Sequence, residues 1–158
     1  MVTRTGMFKA RDLMTRNVFT LPASLSASEA AWALMHRGVS GAPVHDSEGR
    51  LVGMLSNADL VDPERGGVDG NSEWRTVGDV MTPALIAVGE DVPGTDAAQL
   101  MVEHGVHRVV VLDAAGGLAG IITPMDFLRR LLVEGQLVVE SEREREEAAG
   151  GSHPITHH

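Results

Sequence analysis

The sequence predicts an α/β protein made of two copies of one small unit, and three observations support this prediction. Residues 12–59 align with residues 79–126 at an offset of 67, without a gap. Both copies follow the same order of apolar patterns, and both keep glycines and aspartates in register. The identical pairs are Asp12/Asp79, Met14/Met81, Thr15/Thr82, Ala30/Ala97, Ala31/Ala98, Gly38/Gly105, Val39/Val106, Val44/Val111, Asp46/Asp113, Gly49/Gly116, Leu51/Leu118, Gly53/Gly120 and Asp59/Asp126. A duplicated unit explains this better than chance similarity between apolar segments.

Each unit is predicted to run strand, helix, strand, strand, helix. Residues 19–21 and 86–88 are short extended segments, and apolar residues at helical spacing follow them until Gly38 and Gly105, which suit a left-handed helix end. The pairs APVHD and LVGML, and VVVLD and LAGII, are typical of hairpin arms around the turns DSEGR and DAAGG. The final helices are predicted to begin near Asn57 and Pro124.

A unit of about fifty residues cannot bury both faces of its own sheet. We therefore expect the two units to pack through their sheets about a pseudo-two-fold axis. The predicted boundaries are residues 10–62 for the first unit and 77–133 for the second, joined by a linker at 63–76. Residues 134–158 are expected to form a helical extension and a disordered tail.

Composition excludes several classes of function. Thirteen basic against 22 acidic residues give a net charge of -9, which disfavours a nucleic-acid partner. The absence of cysteine removes disulfides and thiolate chemistry, and it fits a reducing compartment. Apolar runs are far shorter than a membrane span. We expect a cytoplasmic protein with no membrane partner.

One heptapeptide pattern occurs in both units, at residues 53–59 and 120–126: glycine, two apolar residues, a hydroxyl residue, two variable residues and aspartate. A hydroxyl followed three residues later by an acid is a helix capping box, and this structural role is one interpretation. The other is a nucleoside-phosphate cradle, in which the helix start and the hydroxyl favour phosphate and the carboxylate accepts from a ribose diol. Both interpretations stay open on the sequence alone.

The duplicated motifs GMLSNAD and GIITPMD resemble those of a tandem pair of CBS (cystathionine beta-synthase) domains, a Bateman module. The segments RDLMT, GDVMTP, GVSGAPVHD and GVHRVVVLD support the resemblance, which covers about residues 10–130. It implies a non-catalytic regulatory module of two β-α-β-β-α repeats that binds AMP, ADP, ATP or S-adenosylmethionine in clefts between the repeats. No cofactor is required under this interpretation, and a homodimer is expected.

The resemblance also implies a role for individual residues. Asp59 and Asp126 would hold ribose hydroxyls, Ser56 and Thr123 would contact ribose or phosphate, and Met54 and Ile121 would flank the adenine. Each cleft would be completed by the other repeat. The cleft of Asp59 would receive Ile86, Val106 and His107, and the cleft of Asp126 would receive Phe19, Val39 and Ser40. His107 and Arg108 match a basic pair near the phosphates, whereas the first repeat has Ser40 and Gly41 there.

The sequence disfavours a metal site and a catalytic site. Seven histidines suggest a metal site, but His104 and His107 are separated by a predicted helix end, so no metal site is expected. No GxSxG nucleophile motif occurs, and aspartates at helix starts favour the charged form, so catalysis is not expected. The alternative function is a dimerisation or docking platform whose caps are purely structural, with residues 131–139 contacting a partner. Any regulated activity is expected on another chain.

Overall fold

The computed structural model describes residues 8–62, 64 and 75–133, and each half of the chain forms a three-stranded sheet with helices packed on it. The predicted α/β class and the repeated order of elements are confirmed. In chain order the elements are α1 (Ala10–Leu13), β1 (Leu21–Pro22), α2 (Ala27–Arg37), β2 (Gly41–His45), β3 (Leu51–Ser56), α3 (Asn57–Val61), α4 (Val77–Val80), β4 (Ala87–Gly89), α5 (Gly94–His104), β5 (Val109–Leu112), β6 (Leu118–Ile122) and α6 (Pro124–Val133).

The two sheets have the same topology. The first has the order β1-β2-β3, with β1 parallel to β2 and β2 antiparallel to β3. The second repeats this arrangement as β4-β5-β6. The first strands lie slightly later than predicted, at Leu21–Pro22 and Ala87–Gly89, because the partner strands set the parallel register. Segments 19–21 and 86–88 therefore only overlap the observed strands.

Both hairpin turns are closed by an aspartate. Asp46 Oδ1 accepts from the backbone N–H groups of Glu48 and Arg50, each at 2.9 Å. Asp113 Oδ1 accepts from the backbone N–H groups two and four residues later, at 2.9 and 2.8 Å. The hydrogen bond from Arg50 N–H is the main cause that holds the pKa of Asp46 below its usual value. The retained aspartates in the repeat thus specify the turns.

The helices α2 and α5 end as the repeated glycines predict. Gly38 and Gly105 both adopt the left-handed conformation, with φ of 68° and 62°. Ser26 starts α2 by accepting a hydrogen bond from Glu29 N–H at 3.1 Å. These ends orient the loops that lead to β2 and β5, where the candidate site lies.

The segment before each sheet packs on the other half of the molecule. Short helix α1 contributes Ala10 and Leu13 to the core around the second sheet, and Met14 follows directly after the helix in the same core. Short helix α4 contributes Val77 and Val80 to the core around the first sheet. The repeat in the sequence therefore differs from the unit that packs together. The first helix of each repeat packs on the sheet of the other repeat.

Backbone pairing fixes this exchange. Thr82 and Met54 exchange two N–H to O bonds, both 2.9 Å, at the free edge of β3. Thr15 and Ile121 exchange the corresponding bonds, 2.8 and 3.0 Å, at the edge of β6. The segments that follow α1 and α4, residues 14–15 and 81–82, are called the crossing segments. Each crossing segment adds one residue pair to the sheet of the other repeat and covers the open edge of that sheet.

Two repeated glycines make room for the crossing segments. A Cβ on Gly53 would lie 2.5 Å from the Thr82 carbonyl oxygen and 2.7 Å from Met81 Sδ. A Cβ on Gly120 would lie 2.5 Å from Met14 Sδ. Only glycine allows this close approach, which explains why both motifs begin with it.

Two sequence predictions concern residues that lie wholly or mostly outside the described segments. The linker at 63–76 lies outside the described residues except for 64, 75 and 76, and the extension and tail at 134–158 lie wholly outside them. Within the described segments, no helix combines the length and apolar character that a membrane span needs.

We predict that Gly53→Ala destabilises the protein by about 1 to 3 kcal/mol, because its methyl group meets a backbone oxygen that cannot move alone. Thermal or urea unfolding monitored by circular dichroism measures this loss. Gly89→Ala is the matched control, since a Cβ there meets no atom within 4 Å. Equal stability of the two variants would contradict the close packing at Gly53.

Candidate functional site

The aspartate of each heptapeptide folds back onto the start of its helix. Asp59 Oδ2 accepts from the Ser56 backbone N–H at 2.9 Å and from the Ser56 hydroxyl at 3.2 Å. Asp126 Oδ2 accepts from the Thr123 backbone N–H at 2.7 Å and from the Thr123 hydroxyl at 3.2 Å. Ser56 forms a complete capping box with Asp59. The capping interpretation is therefore structurally correct, and it leaves open a second role for the same carboxylates.

The crossing segments supply a second hydroxyl to each carboxylate. Thr82 Oγ1 donates to Asp59 Oδ1 at 3.1 Å, and Thr15 Oγ1 donates to Asp126 Oδ1 at 3.0 Å. Both aspartates are buried, with 9% and 7% of their surfaces exposed. Each carboxylate is thus held by both repeats. These threonines were not predicted as site residues, although their identity at equivalent positions of the two repeats was a signal.

A cavity of about 550 Å³ lies beside Asp59 and is lined by residues of both repeats. Its volume falls in the range of small-molecule sites. The first repeat contributes its hairpin end and helix start, and the second contributes its crossing segment and the loop between α5 and β5. The lining residues are Ser40, Met54, Ser56, Asn57, Ala58, Asp59, Thr82, Ala84, Leu85, Ile86, His104, Val106, His107 and Arg108.

The cavity is lined by side chains of both charges. Asp59 supplies a carboxylate and Arg108 a guanidinium, and His104 and His107 add imidazoles that can donate hydrogen bonds. Met54 and Ile86 supply apolar surface to the lining. This arrangement can bind a flat apolar group, a diol and an anion in one molecule.

Arg108 joins the two repeats at this cavity. Its guanidinium donates to the Ser40 hydroxyl, and it lies against Gly41, where a Cβ would be 2.8 Å from Arg108 Cζ and 2.7 Å from the Leu55 carbonyl oxygen. Gly41 and Arg108 occupy equivalent positions of the two repeats, so a glycine faces an arginine across the pseudo-two-fold axis. Burial lowers the pKa of the Arg108 guanidinium, which still keeps its charge at neutral pH.

The structure brings together all of the residues predicted for the first cleft. Those in the cavity are Met54, Ser56, Asp59, Ile86, Val106, His107 and Arg108. Their shared location agrees with the grouping expected from the sequence. A binding role for them stays a prediction.

One residue predicted for the cleft of Asp126 has a contact that was not expected. Ser40 lines the cavity of Asp59, and its place in the cleft of Asp126 stays a prediction. The reason is local: Ser40 precedes β2, whose Gly41 pairs with Ser56 on β3, and Asn57 N–H donates to the Ser40 carbonyl at 2.9 Å.

The other residues predicted for the second cleft come from separate segments of both repeats. Phe19 packs on the first core, with the Arg37 guanidinium 4.5 Å from its ring centroid. Val39 is 40% exposed after the end of α2. Ile121, Thr123 and Asp126 lie together at the end of β6 and the start of α6. Binding by this second group also stays a prediction.

A larger cavity of about 760 Å³ lies between the two hairpin turns, away from both carboxylates. It is lined by equivalent residues of the two repeats, such as Leu51 and Leu118, and therefore lies on the pseudo-two-fold axis. Its charged groups, Glu48 and Arg50, are exposed and pair with each other. The Asp59 cavity is the stronger candidate because it combines a buried carboxylate with an arginine and an apolar lining from both repeats.

The histidines in the part of the chain that the structure describes do not form a metal site. Across residues 8–62, 64 and 75–133, no cluster of three or more histidine and acidic side chains could hold a metal ion. His45 instead shares a hydrogen bond of 3.0 Å between its Nδ1 and the Thr20 hydroxyl.

Comparison with protein families identifies both halves of the chain. A family model described as the CBS domain matches residues 10–63 and again residues 77–133. The two matches contain both heptapeptides and both crossing segments.

Several curated proteins are similar to this chain over most of its length. The CBS domain-containing protein CBSX2, chloroplastic, of Arabidopsis thaliana is 31% identical over 82% of this chain and 66% of its own length. An inosine-5'-monophosphate dehydrogenase of Methanocaldococcus jannaschii is 32% identical over 77% of this chain, but the chain spans only 23% of that enzyme. The chain is thus similar to part of these longer proteins.

Solved structures show the same fold. The crystal structure of CBSX2 from Arabidopsis thaliana superposes with a TM-score of 0.73 at 30% identity, covering 82% of this chain and 97% of that one. A structure of CBSX2 in complex with AMP gives a TM-score of 0.67 at 33% identity, covering 79% and 96%. The CBS domain of a bacterial CNNM/CorC family Mg²⁺ transporter gives 0.72 at 20% identity, covering 82% and 90%, which shows the fold alone.

Proposed function

Because this chain belongs to the CBS domain family and carries two copies of the domain, we propose that it is a non-catalytic regulatory module that binds an adenosine-containing ligand beside Asp59. The observation that carries the proposal is the cavity itself, in which both repeats bring a buried carboxylate, apolar walls and an arginine together. The similar protein CBSX2 has been solved with AMP, which makes AMP the first ligand to test.

Each part of an adenylate has a chemical match in the cavity. Met54, Ile86 and Val106 offer apolar surface for the adenine ring. Asp59 is fixed by Ser56 and Thr82 and can accept from ribose hydroxyls, because an ionised carboxylate has about four acceptor positions. Arg108 carries the charge that a phosphate needs.

Regulation follows from the position of the ligand between the repeats. Asp59 and Met54 belong to the first repeat, whereas Ile86 and Arg108 belong to the second. A ligand that contacts both sets favours the packing in which they are closest, and its effect equals its difference in affinity for the two packings. The regulated activity itself would belong to another domain or chain.

The proposal extends to the oligomeric state. Helix α6 exposes Met125, Leu128 and Leu132 at helical spacing, and helix α2 exposes Trp32 and Met35. These apolar faces support the proposal of a homodimer, and they also favour the second candidate function, a dimerisation or docking platform without a nucleotide. A cytoplasmic location is part of the same proposal.

We predict that AMP binds the unaltered chain and that Asp59→Asn weakens this binding at least about tenfold. The substitution replaces a charged carboxylate, which accepts hydrogen bonds from the ribose hydroxyls, with a neutral amide. Isothermal titration calorimetry measures both affinities. Circular dichroism checks that the variant is folded, because Asp59 also caps α3. Undetectable AMP binding by the unaltered chain would favour the docking platform instead.

We predict that Arg108→Ala weakens AMP binding by about 10- to 150-fold, corresponding to about 1.5 to 3 kcal/mol for a charge-assisted hydrogen bond. Adenosine, which has no phosphate, should lose much less affinity. Arg50→Ala is the matched control, because Arg50 is exposed in the hairpin turn and pairs with Glu48. Equal losses for AMP and adenosine would show that Arg108 does not bind the phosphate.

We predict that Ser40→Ala tightens AMP binding by about 2- to 10-fold. The substitution removes the Ser40 hydroxyl, which competes with the phosphate for the Arg108 guanidinium. A neutral hydrogen bond contributes about 0.5 to 1.5 kcal/mol. Competition titration against a fluorescent adenylate measures the change. Weaker binding would mean that Ser40 contacts the ligand directly.

A further inference from the structure

His104 lines the Asp59 cavity and has no role in the proposed contacts with an adenylate. It shares the cavity with His107 and Arg108, and all three residues belong to the second repeat. His104 is the last residue of α5, and Gly105 follows it in the left-handed conformation. The two histidines therefore line one cavity although a helix end separates them in the sequence.

The polar residues that line this cavity differ in their exposure. Asp59 is buried, Arg108 is half-buried, and His104 and His107 are exposed. Among the described residues that line the cavity, Asp59 is the one acidic residue. A ligand held by Asp59 and Arg108 that extends to the protein surface therefore meets two imidazoles and no second carboxylate.

The number of donors exceeds what one phosphate needs. A guanidinium can bind a phosphate through two parallel N–H donors, so Arg108 alone can satisfy the phosphate of AMP. A second and a third phosphate add negative charge and further acceptor oxygens. An imidazole can donate a hydrogen bond to such an oxygen in either protonation state. His104 and His107 are thus chemically suited to phosphates beyond the first.

The repeat gives independent support for the position of His104. Its equivalent in the first repeat is Arg37, which is the last residue of α2 and is also basic. The Arg37 guanidinium lies 4.5 Å from the centroid of the Phe19 ring. Phe19 is equivalent to Ile86, which lines the same cavity as His104. In both copies, the basic residue at the helix end thus accompanies a residue of the predicted cleft.

We infer that His104 is a specificity-determining residue that favours ADP and ATP over AMP, because it donates to a phosphate beyond the one that Arg108 binds. This inference rests on the proposed function, since it assumes that an adenylate places its first phosphate on Arg108. A purely structural role is the alternative, because a histidine in the last turn of a helix also interacts favourably with the helix dipole. Only a contact with the ligand makes the effect of His104 depend on the number of phosphates.

The experiment titrates the unaltered full chain, His104→Ala and His36→Ala with AMP, ADP and ATP by isothermal titration calorimetry. Mg²⁺ is left out, because it would neutralise the phosphates that the imidazole is expected to bind. His36→Ala is the matched control, since His36 is an exposed histidine in the last turn of α2 and stacks on Trp32, with 4.7 Å between the ring centroids. Thermal unfolding checks that all three proteins are folded.

We expect the unaltered chain to bind ATP about 3- to 30-fold more tightly than AMP. His104→Ala should reduce this ratio by about 3- to 10-fold and change the affinity for AMP by less than about twofold, whereas His36→Ala should keep the ratio. ATP binding no tighter than AMP binding in the unaltered chain, or a ratio that His104→Ala leaves unchanged, would overturn the inference and leave the proposed function intact. If the unaltered chain binds none of the three nucleotides, the proposed function is wrong and the inference fails with it.

Discussion

The structure depends on the pairing of each crossing segment with the opposite sheet. Thr82 makes two backbone hydrogen bonds to Met54 and donates its hydroxyl to Asp59, so one residue joins the repeats and fixes the candidate site. Thr15 does the same for Ile121 and Asp126. This coupling means that the carboxylate cannot change its position without affecting the contact between the repeats. A ligand on the carboxylate is therefore in direct contact with the interface that regulation would use.

Much of the fold was predictable from the sequence because local patterns that occur twice determine its helix ends and turns. Paired glycines mark the helix ends, paired aspartates mark the turns, and the hydroxyl and acid of each heptapeptide mark a helix start. The exchange of α1 and α4 was not predictable in this way. A four-residue helix has no periodicity that identifies its partner, and nothing local tells which sheet it joins.

The candidate site was predictable in its residue types and less so in its grouping. The cavity of Asp59 contains the residues expected from both repeats, because the pseudo-two-fold arrangement brings equivalent loops together. The contact of Ser40 with the cavity of Asp59 was not expected, since it depends on the pairing between β2 and β3. The ion pair between Arg129 and Asp126 was not predicted, because it depends on the positions of the two side chains on α6. The two copies have diverged at Gly41 and Arg108, beside the cavity of Asp59.

The most direct measurement of the account is a crystal structure of the full chain grown with AMP. The account predicts one well-ordered AMP in the cavity of Asp59, with the ribose hydroxyls on the carboxylate, the adenine between Met54 and Ile86, and the phosphate on Arg108. Density for AMP only elsewhere, or a cavity filled by the protein's own side chains at saturating AMP, would contradict it.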